Sequence, residues 1–224
     1  MANDRRRGRL PDGLVQPQEG ALDRPRVPLP TRVQDLPPLP DEFAEVLATG
    51  VATLGIGLSD DALSIIDAHV RLLLAWTVAI NLTAIRDPVA VARLHVLDSL
   101  AAAPHLRARG IARLLDLGSG GGFPGIPLAA ALGADRALLV DSVGKKAQFL
   151  RTVIRATGVE RRVAVEPERA EAVARDRRDR EAWPAVTARA VTSLAELVEL
   201  GLPLVAPDGV LVAWKREPVR AELD

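Results

Sequence analysis

A glycine-rich turn preceded by an acidic residue is the part of this sequence best suited to chemistry. Asp116 lies near the end of an apolar run, and the glycines between Gly118 and Gly125 follow at once. Glycine lets the backbone turn through conformations that a Cβ would forbid, and it lets a ligand approach the main chain closely. The Ala/Leu segment that follows predicts a helix whose free N–H groups and positive dipole end face that ligand. We therefore expect a strand, a ligand-binding turn and a helix here.

The glycine spacing fits two classes of ligand. Residues 120–125 match the dinucleotide pattern G-x-G-x-x-G, which is a weak signal on its own. Residues 116–122 match acidic-x-G-x-G-x-G, which resembles the first motif of class I S-adenosylmethionine (SAM) methyltransferases, with a carboxylate placed to hold an ammonium group. Asp141 follows about twenty residues after the turn, where an acidic side chain can accept the ribose hydroxyls of either ligand. A plain glycine-rich connection is the third alternative.

Strands and helices that alternate after residue 110 must hold these residues. Such alternation predicts an α/β fold with a parallel sheet, and the continuous apolar strands fit a sheet covered on both faces. Pro184 cannot donate a ladder hydrogen bond, which suits the start of a strand. Ser142 is expected to cap the helix after the second strand. The five predicted strands are 114–117, 137–140, 162–165, 185–190 and 210–214, and a turn at 207–209 is predicted to lead into the last of them.

Three helices are predicted before the sheet. The first begins at Asp41, and the second is capped by Ser59 and ends near Asn81. The third is capped by Asp87 and begins at Pro88, which suits a first helical position. We divide the chain into a disordered Pro- and Arg-rich extension, an N-terminal helical cap and a sheet domain, at residues 1–40, 41–110 and 111–224.

The composition limits the possible functions. Formal net charge is zero, so a nucleic-acid partner must be held by a local basic patch. Cysteine is absent, which excludes disulfides and cysteine nucleophiles and suits a cytoplasmic protein. We predict no signal peptide, because the N-terminus is rich in Arg and Pro and has no apolar segment. We also predict no membrane contact, because polar residues interrupt the longest apolar run, 63–85. The run from Arg5 to Arg9 could touch RNA phosphates, or be a solvated tail.

Basic side chains occupy positions where a polyanion could bind. Lys145 and Lys146 come at the start of a predicted helix, where cations oppose the helix dipole. A polyanion would explain them, and a solvated face is an equal alternative. Arg189 ends the fourth strand and Lys215 follows the fifth. Open α/β sheets bind ligands at the carboxyl ends of their strands, so we expect Arg189 and Lys215 near the glycine turn.

His95, Asp98 and Ser99 are spaced i, i+3 and i+4, so they share one face of the third helix. Taken alone, a histidine in this position is most often a hydrogen-bonded structural residue. Only His69 and His105 stand elsewhere in the sequence. We therefore predict no metal site.

Four motifs in order resemble the glucose-inhibited division protein B family, the 16S ribosomal RNA guanine-N7 methyltransferases. The motifs are N-L-T-A-I-R-D from Asn81, H-x-x-D-S-L from His95, L-D-L-G-S-G-G-G-F-P-G from Leu115 and L-V-D-S-V-G-K-K from Leu139. The similarity covers about residues 41–216. The ordered combination is far more specific than any one motif.

The resemblance implies a Rossmann-like class I methyltransferase fold, SAM as cofactor, and 16S ribosomal RNA or the small ribosomal subunit as partner of a monomeric enzyme. It assigns the cofactor contacts to Asp116, Gly118, Gly120, Phe123, Asp141, Ala170, Glu171 and Arg189. With the basic pair on the predicted helix, the substrate-binding candidates are Asn81, Arg86, His95, Asp98, Lys145 and Lys146. Arg189 and Lys215 are the catalytic candidates.

Three features depart from the family. Trp183-Pro184 stands where an Asp usually opens the fourth strand, and Lys215-Arg216 stands where the family has Lys-Gly. The sequence ends at Asp224, where the family continues with another helix and a closing antiparallel pair of strands. We therefore expect those strands to be missing and strand five to be a bare sheet edge.

Guanine N7 carries a free lone pair, so its methylation releases no proton and needs no general base. Orientation of the two reactants is then the main task. Three alternatives stay open: a SAM methyltransferase for another substrate, an NAD(P) oxidoreductase favoured only by the shifted glycine match, and an inactive truncated RNA-binding fragment.

Overall fold

The glycine turn follows the central strand of a five-stranded parallel sheet, at the strand's carboxyl end. In the computed structural model, which describes residues 28–189 and 193–215, the strand order is β3-β2-β1-β4-β5. β2 and β3 lie on one side of β1 whereas β4 and β5 lie on its other side, and an open sheet forms a ligand crevice at such a switch point between β1 and β4. The predicted α/β class with a Rossmann-like sheet is confirmed. The strands are β1 (Arg113–Leu117), β2 (Arg136–Val140), β3 (Val163–Glu166), β4 (Trp183–Arg189) and β5 (Val205–Trp214).

Helices cover both faces of this sheet. Successive strand residues point to opposite faces. Leu114 therefore packs into a core with the cap helices and the helices 125–132 and 144–157, whereas Leu115 packs into a second core with the helices 170–175 and 194–201. The helices are α1 (Asp41–Thr53), α2 (Asp60–Thr77), α3 (Pro88–Val91), α4 (Asp98–Leu100), α5 (Ala103–Ala108), α6 (Gly125–Leu132), α7 (Gly144–Thr157), α8 (Ala170–Arg175) and α9 (Leu194–Gly201).

Local capping sets the starts of two cap helices as predicted. The Ser59 hydroxyl accepts a hydrogen bond from the N–H of Ala62 at 3.2 Å, and Asp87 accepts one from Ala90 at 2.8 Å before Pro88. These side chains satisfy backbone donors that have no partner inside the helix. The cap helices therefore begin where the sequence signals stand.

Four local predictions were wrong. α2 ends at Thr77, short of Asn81. A π-helical segment, Ala92–Leu97, interrupts the third helix. Ser142 does not cap α7, because Val143 is the N-cap and makes no side-chain cap bond. The predicted turn at 207–209 lies inside β5, which pairs irregularly with the start of β4 there.

Residues 28–40 differ from the predicted disordered extension. They contain a 3₁₀ turn, Val33–Asp35, and lie on α2. The Arg71 guanidinium donates hydrogen bonds to the backbone carbonyls of Val33 and Pro37, both at 2.9 Å, and to that of Leu36. These bonds fasten the described part of the extension to the helical cap.

Several predictions fall on residues 1–27 or 216–224, which lie outside the described residues. They concern the basic run from Arg5 to Arg9, the family departure at Arg216 and the closing strands. Within the described residues, β5 is an edge strand of the sheet. None of the helices in 28–189 and 193–215 is long and apolar enough to cross a membrane.

Candidate active site

The glycine turn joins β1 to α6 and is held from the next strand. Gly118 and Gly120 have φ values of +65° and +55°, which L side chains rarely adopt. The Asp141 carboxylate accepts hydrogen bonds from the N–H of Gly120 and of Val143, each at 2.8 Å. A carboxylate has about four acceptor positions, so acceptor capacity remains for a ligand beside the turn.

Four of the predicted cofactor residues line one cleft of about 220 Å³ beside this turn. Gly118 and Asp141 form one side, and Ala170 and Glu171 come from the start of α8. The remaining lining residues mix apolar and charged side chains and are Leu117, Val140, Ser142, Glu168, Arg169, Glu196, Leu197 and Leu200. A cleft with an apolar floor and a carboxylate at its edge has the chemistry to hold a nucleoside.

Asp116 lies under the turn, outside solvent contact. Its carboxylate accepts hydrogen bonds from the Thr187 hydroxyl at 2.7 Å and from the N–H of Gly125 at 3.2 Å. Burial raises the pKa of Asp116 to about 6, and these hydrogen bonds oppose the shift. The carboxylate thus joins β1, β4 and α6, and its contact with a cofactor ammonium group stays a prediction.

Phe123, in the turn, forms a stacked cluster with His95, Arg189 and Asp98. The ring centroids of Phe123 and His95 are 4.9 Å apart, with the rings inclined at 28°. The Arg189 guanidinium carbon lies 5.3 Å from the centre of the Phe123 ring, and its Nη1 lies 3.1 Å from the Asp98 carboxylate. The structure therefore brings together Phe123, His95, Asp98 and Arg189.

His95 has polar neighbours at both ring nitrogens. Nδ1 lies 3.1 Å from the carbonyl of Leu94, which only accepts, and 3.3 Å from Nη2 of Arg189, which only donates, so the two contacts require different tautomers. Nε2 lies 2.7 Å from the Thr83 hydroxyl, which can donate or accept. Burial, followed by the Arg189 charge, lowers the pKa of His95. Thr83 belongs to the Asn81 motif, but the sequence did not single it out.

His69 supports the turn from α2. Its Nε2–H donates to the carbonyl of Gly121 at 2.6 Å, and its ring lies 4.5 Å from that of Phe123, centre to centre. Burial lowers the pKa of His69 to about 4, and Nδ1 has no hydrogen-bond partner among the described residues. The only sequence signal was a histidine on the apolar face of a helix, which is usually structural.

The remaining predicted residues lie on three other segments of the chain. Asn81 and Arg86 are exposed in the segment between α2 and α3. Lys145 is exposed and Lys146 half-buried in the first turn of α7. Lys215 is half-buried just after β5. The roles of these five residues stay predictions.

Two further contacts bear on the site. The Trp214 indole N–H donates to the carbonyl of Asp98 at 2.8 Å, which brings the end of β5 to the Arg189–Asp98 pair. Within 28–189 and 193–215, no group of three or more His, Cys, Asp or Glu residues could hold a metal ion.

Comparison with known proteins gives a consistent match. Residues 62–224 match the family model described as rRNA small subunit methyltransferase G. This chain is similar to proteins named ribosomal RNA small subunit methyltransferase G. The protein from Leptothrix cholodnii is 41% identical over 80% of this chain and 81% of its own length. The protein from Sorangium cellulosum is 40% identical over 90% of this chain and 81% of its own length. The Chloroflexus aggregans protein of that name is 44% identical over 73% of this chain and 68% of its own length. Among solved structures, an O-methyltransferase from Bacillus cereus in complex with SAH has a TM-score of 0.49 and 15% identity over 76% of this chain and 74% of that one.

Proposed function

The chain belongs to the rRNA small subunit methyltransferase G family, and from that membership we propose that it methylates N7 of a guanine in 16S ribosomal RNA with SAM as methyl donor. Methyl transfer to ribosomal RNA is the activity that the family name states. The position N7, the single guanine and a monomeric, cytoplasmic enzyme are the finer parts of the proposal.

The observation that carries the proposal is the cleft beside the glycine turn. Asp141 already accepts two backbone N–H groups, so its orientation is fixed before any ligand arrives. It would accept the ribose hydroxyls of SAM with its remaining lone pairs. Ala170 and Glu171 would lie against the adenine, as the family resemblance implies. The residues present therefore fit an adenosine-containing ligand.

The chain's own residues have to bind SAM and the guanine, orient them and exclude water from the site. When bound, SAM supplies a methyl group on a positively charged sulfonium. The N7 lone pair accepts that methyl group without loss of a proton, so no side chain has to act as a base. Placing the reactants in line at short range is the source of the rate enhancement.

The stacked cluster would form one wall of the pocket that receives the target guanine. Contacts with Asp98 and with the Phe123 ring orient the Arg189 guanidinium. Its charge is balanced by Asp98, which limits repulsion of the cationic 7-methylguanine product. His95 contributes a flat ring stacked on Phe123 and a polar contact with Arg189. We assign Arg189 and Lys215 to substrate positioning, with Asn81, Arg86, Lys145 and Lys146 as RNA contacts.

The test combines binding and product analysis. Calorimetry of the purified chain should show SAM binding and no comparable affinity for NAD. Transfer of labelled methyl from SAM should then be measured on unmethylated 16S rRNA and on small subunits. NAD binding without SAM binding would replace the proposal by a dehydrogenase function. Light scattering of the same sample tests the monomer.

A further inference from the structure

Two arginines share one tryptophan ring at the sheet edge opposite the cofactor cleft. Arg113 begins β1 and Arg136 begins β2, and the two are register partners in the parallel ladder. Their guanidinium carbons lie 5.5 Å and 5.0 Å from the centre of the Trp183 ring. Trp183 begins β4 and is fully buried. A rigid aromatic surface thus supports two neighbouring cations.

These cations have no anionic partner within 28–189 and 193–215. No ion pair or side-chain hydrogen bond of Arg113 or Arg136 occurs among these residues. The nearby Asp179 carboxylate instead accepts the Trp183 indole N–H at 3.1 Å. Arg136 is exposed and Arg113 half-buried, so both are accessible to a ligand.

Two arginines over the Trp183 ring cost more free energy than is needed merely to cover this part of the core. Like charges at adjacent strand positions repel each other, and each cation–π contact returns only about 0.5–1 kcal/mol at an exposed site. One aliphatic side chain would cover the Trp183 ring without this repulsion. An anion that bridges both guanidiniums removes the repulsion, so the pair is better suited to ligand binding.

The surroundings add positive charge. Residues 175–181 pack beside Trp183 through Asp179. This segment carries the cations Arg175, Arg177, Arg178 and Arg180 against the anions Asp176, Asp179 and Glu181. With Arg113 and Arg136, and with the exposed Asp135 carboxylate next to Arg136, the region has six cations and four anions on a chain whose formal net charge is zero. A local basic patch of this kind attracts a polyanion.

We propose that Arg113 and Arg136 bind a phosphate of the ribosomal RNA backbone, with Trp183 holding both guanidiniums in place. This rests on the proposed function, because it assumes an RNA substrate. Guanidinium groups match phosphate oxygens with paired N–H donors, and stacking on an aromatic ring preorganises them. A five-residue strand is roughly 16 Å long, so this contact lies about that far from the cofactor cleft and reaches RNA beyond the target base.

The experiment measures binding of protein-free 16S rRNA over a range of salt concentrations. Arg113→Gln/Arg136→Gln should bind roughly tenfold more weakly and lower the salt slope by about 0.7–0.9, the value for one lost phosphate contact. The double variant Arg113→Lys/Arg136→Lys keeps the charge and should keep most of the slope. Arg32→Gln is the control, because Arg32 is exposed and faces Asp35 at 3.8 Å; it should leave the slope unchanged.

SAM affinity and melting temperature separate the explanations. The proposal requires that the Gln double variant keeps wild-type SAM affinity. Wild-type RNA affinity and slope in that variant would overturn the phosphate site. A fall in melting temperature in both double variants with an unchanged slope would also overturn it, and would leave only a covering role for the arginines. If wild type binds rRNA through this pair but transfers no methyl group, the proposed function fails and the phosphate site stands.

Discussion

Asp141 accepts a hydrogen bond from the backbone N–H of Gly120 at 2.8 Å, so the end of β2 holds the glycine turn of β1. Its other carboxylate oxygen accepts the N–H of Val143 before α7. One side chain therefore fixes two backbone segments around the cleft.

Asp141→Ala should weaken SAM binding by about 1–3 kcal/mol, because it removes a charged acceptor and leaves its partners unmatched. Calorimetry measures the affinity directly. Asp135→Ala is the control, since Asp135 is an exposed carboxylate just before the same strand. Equal SAM affinity in wild type and Asp141→Ala would remove Asp141 from the site.

Gly120→Ala should lower both stability and SAM affinity through backbone strain. A Cβ there would meet only Gly118 O at 3.7 Å and Asp141 Oδ2 at 4.0 Å, so the φ of +55° is the obstacle, with a cost of about 1–2 kcal/mol. Gly133→Ala is matched, because Gly133 has a φ of +59° and open space. Gly133→Ala should lose stability alone. Equal SAM affinities in the two variants would show that the turn is only a connection.

His69→Leu should destabilise the fold by about 1–3 kcal/mol, because the buried carbonyl of Gly121 loses its donor. His69→Gln, which keeps an N–H donor, should recover part of this loss. Thr77→Val is the control on the same helix: its buried hydroxyl has no partner among the described residues, so its removal should be close to neutral. The measurement is the free energy of unfolding in urea, and a larger loss in Thr77→Val than in His69→Leu would contradict the account.

His69 and Asp116 should give opposite pH dependences between about pH 4 and 6. His69 has a lowered pKa of about 4 against 6.5, so its contribution is complete above pH 6.5 and is lost as pH falls. Asp116 has a raised pKa of about 6 against 3.8, so its contribution is present below pH 3.8 and is lost as pH rises through 6. Each amounts to about 3 kcal/mol.

These two contributions largely cancel in the wild type. Asp116→Asn, which retains the shape of the side chain, should therefore become more stable relative to wild type as pH rises from 4 to 6. His69→Gln should show the reverse trend. Urea unfolding at several pH values provides the measurement, and parallel pH profiles for wild type and both variants would disprove the assigned shifts.

Arg189→Gln should separate methyl transfer from SAM binding. It removes the ion pair with Asp98 and the contact with the Phe123 ring, so we expect kcat to fall about tenfold or more, roughly 1.4 kcal/mol in activation free energy. Lys215→Ala should act in the same direction. The Kd for SAM should change less than kcat in both variants. A matched loss of SAM affinity and kcat would make the roles of Arg189 and Lys215 structural.

The parts of the fold that depend on local sequence were predictable. Ser59 and Asp87 cap their helices because their acceptors reach N–H groups three residues away. The start of β5 was missed because Val205 is drawn into the sheet by pairing with Trp183, which overrides the turn residues at 207–209. Ser142 is not the cap because α7 begins one residue later than predicted, which places Val143 at the N-cap position.

The candidate site was predictable in its residues and less so in its contacts. Glycine and acid spacing identified Gly118 and Asp141, and these do line one cleft. The bond from His69 to Gly121 joins positions 52 apart, which no periodicity encodes. The buried Asp116 carboxylate is compensated by a hydrogen bond from the Thr187 hydroxyl on the neighbouring strand. That contact depends on the pairing register of β1 and β4, which the sequence alone does not give.

The most direct test of the central claim is nucleoside analysis of 16S rRNA after incubation with the purified chain and labelled SAM. The account predicts label in 7-methylguanosine, at one guanine, with wild type and strongly reduced label with Asp141→Ala. Label in any other nucleoside, or none in rRNA despite measurable SAM binding, would contradict it.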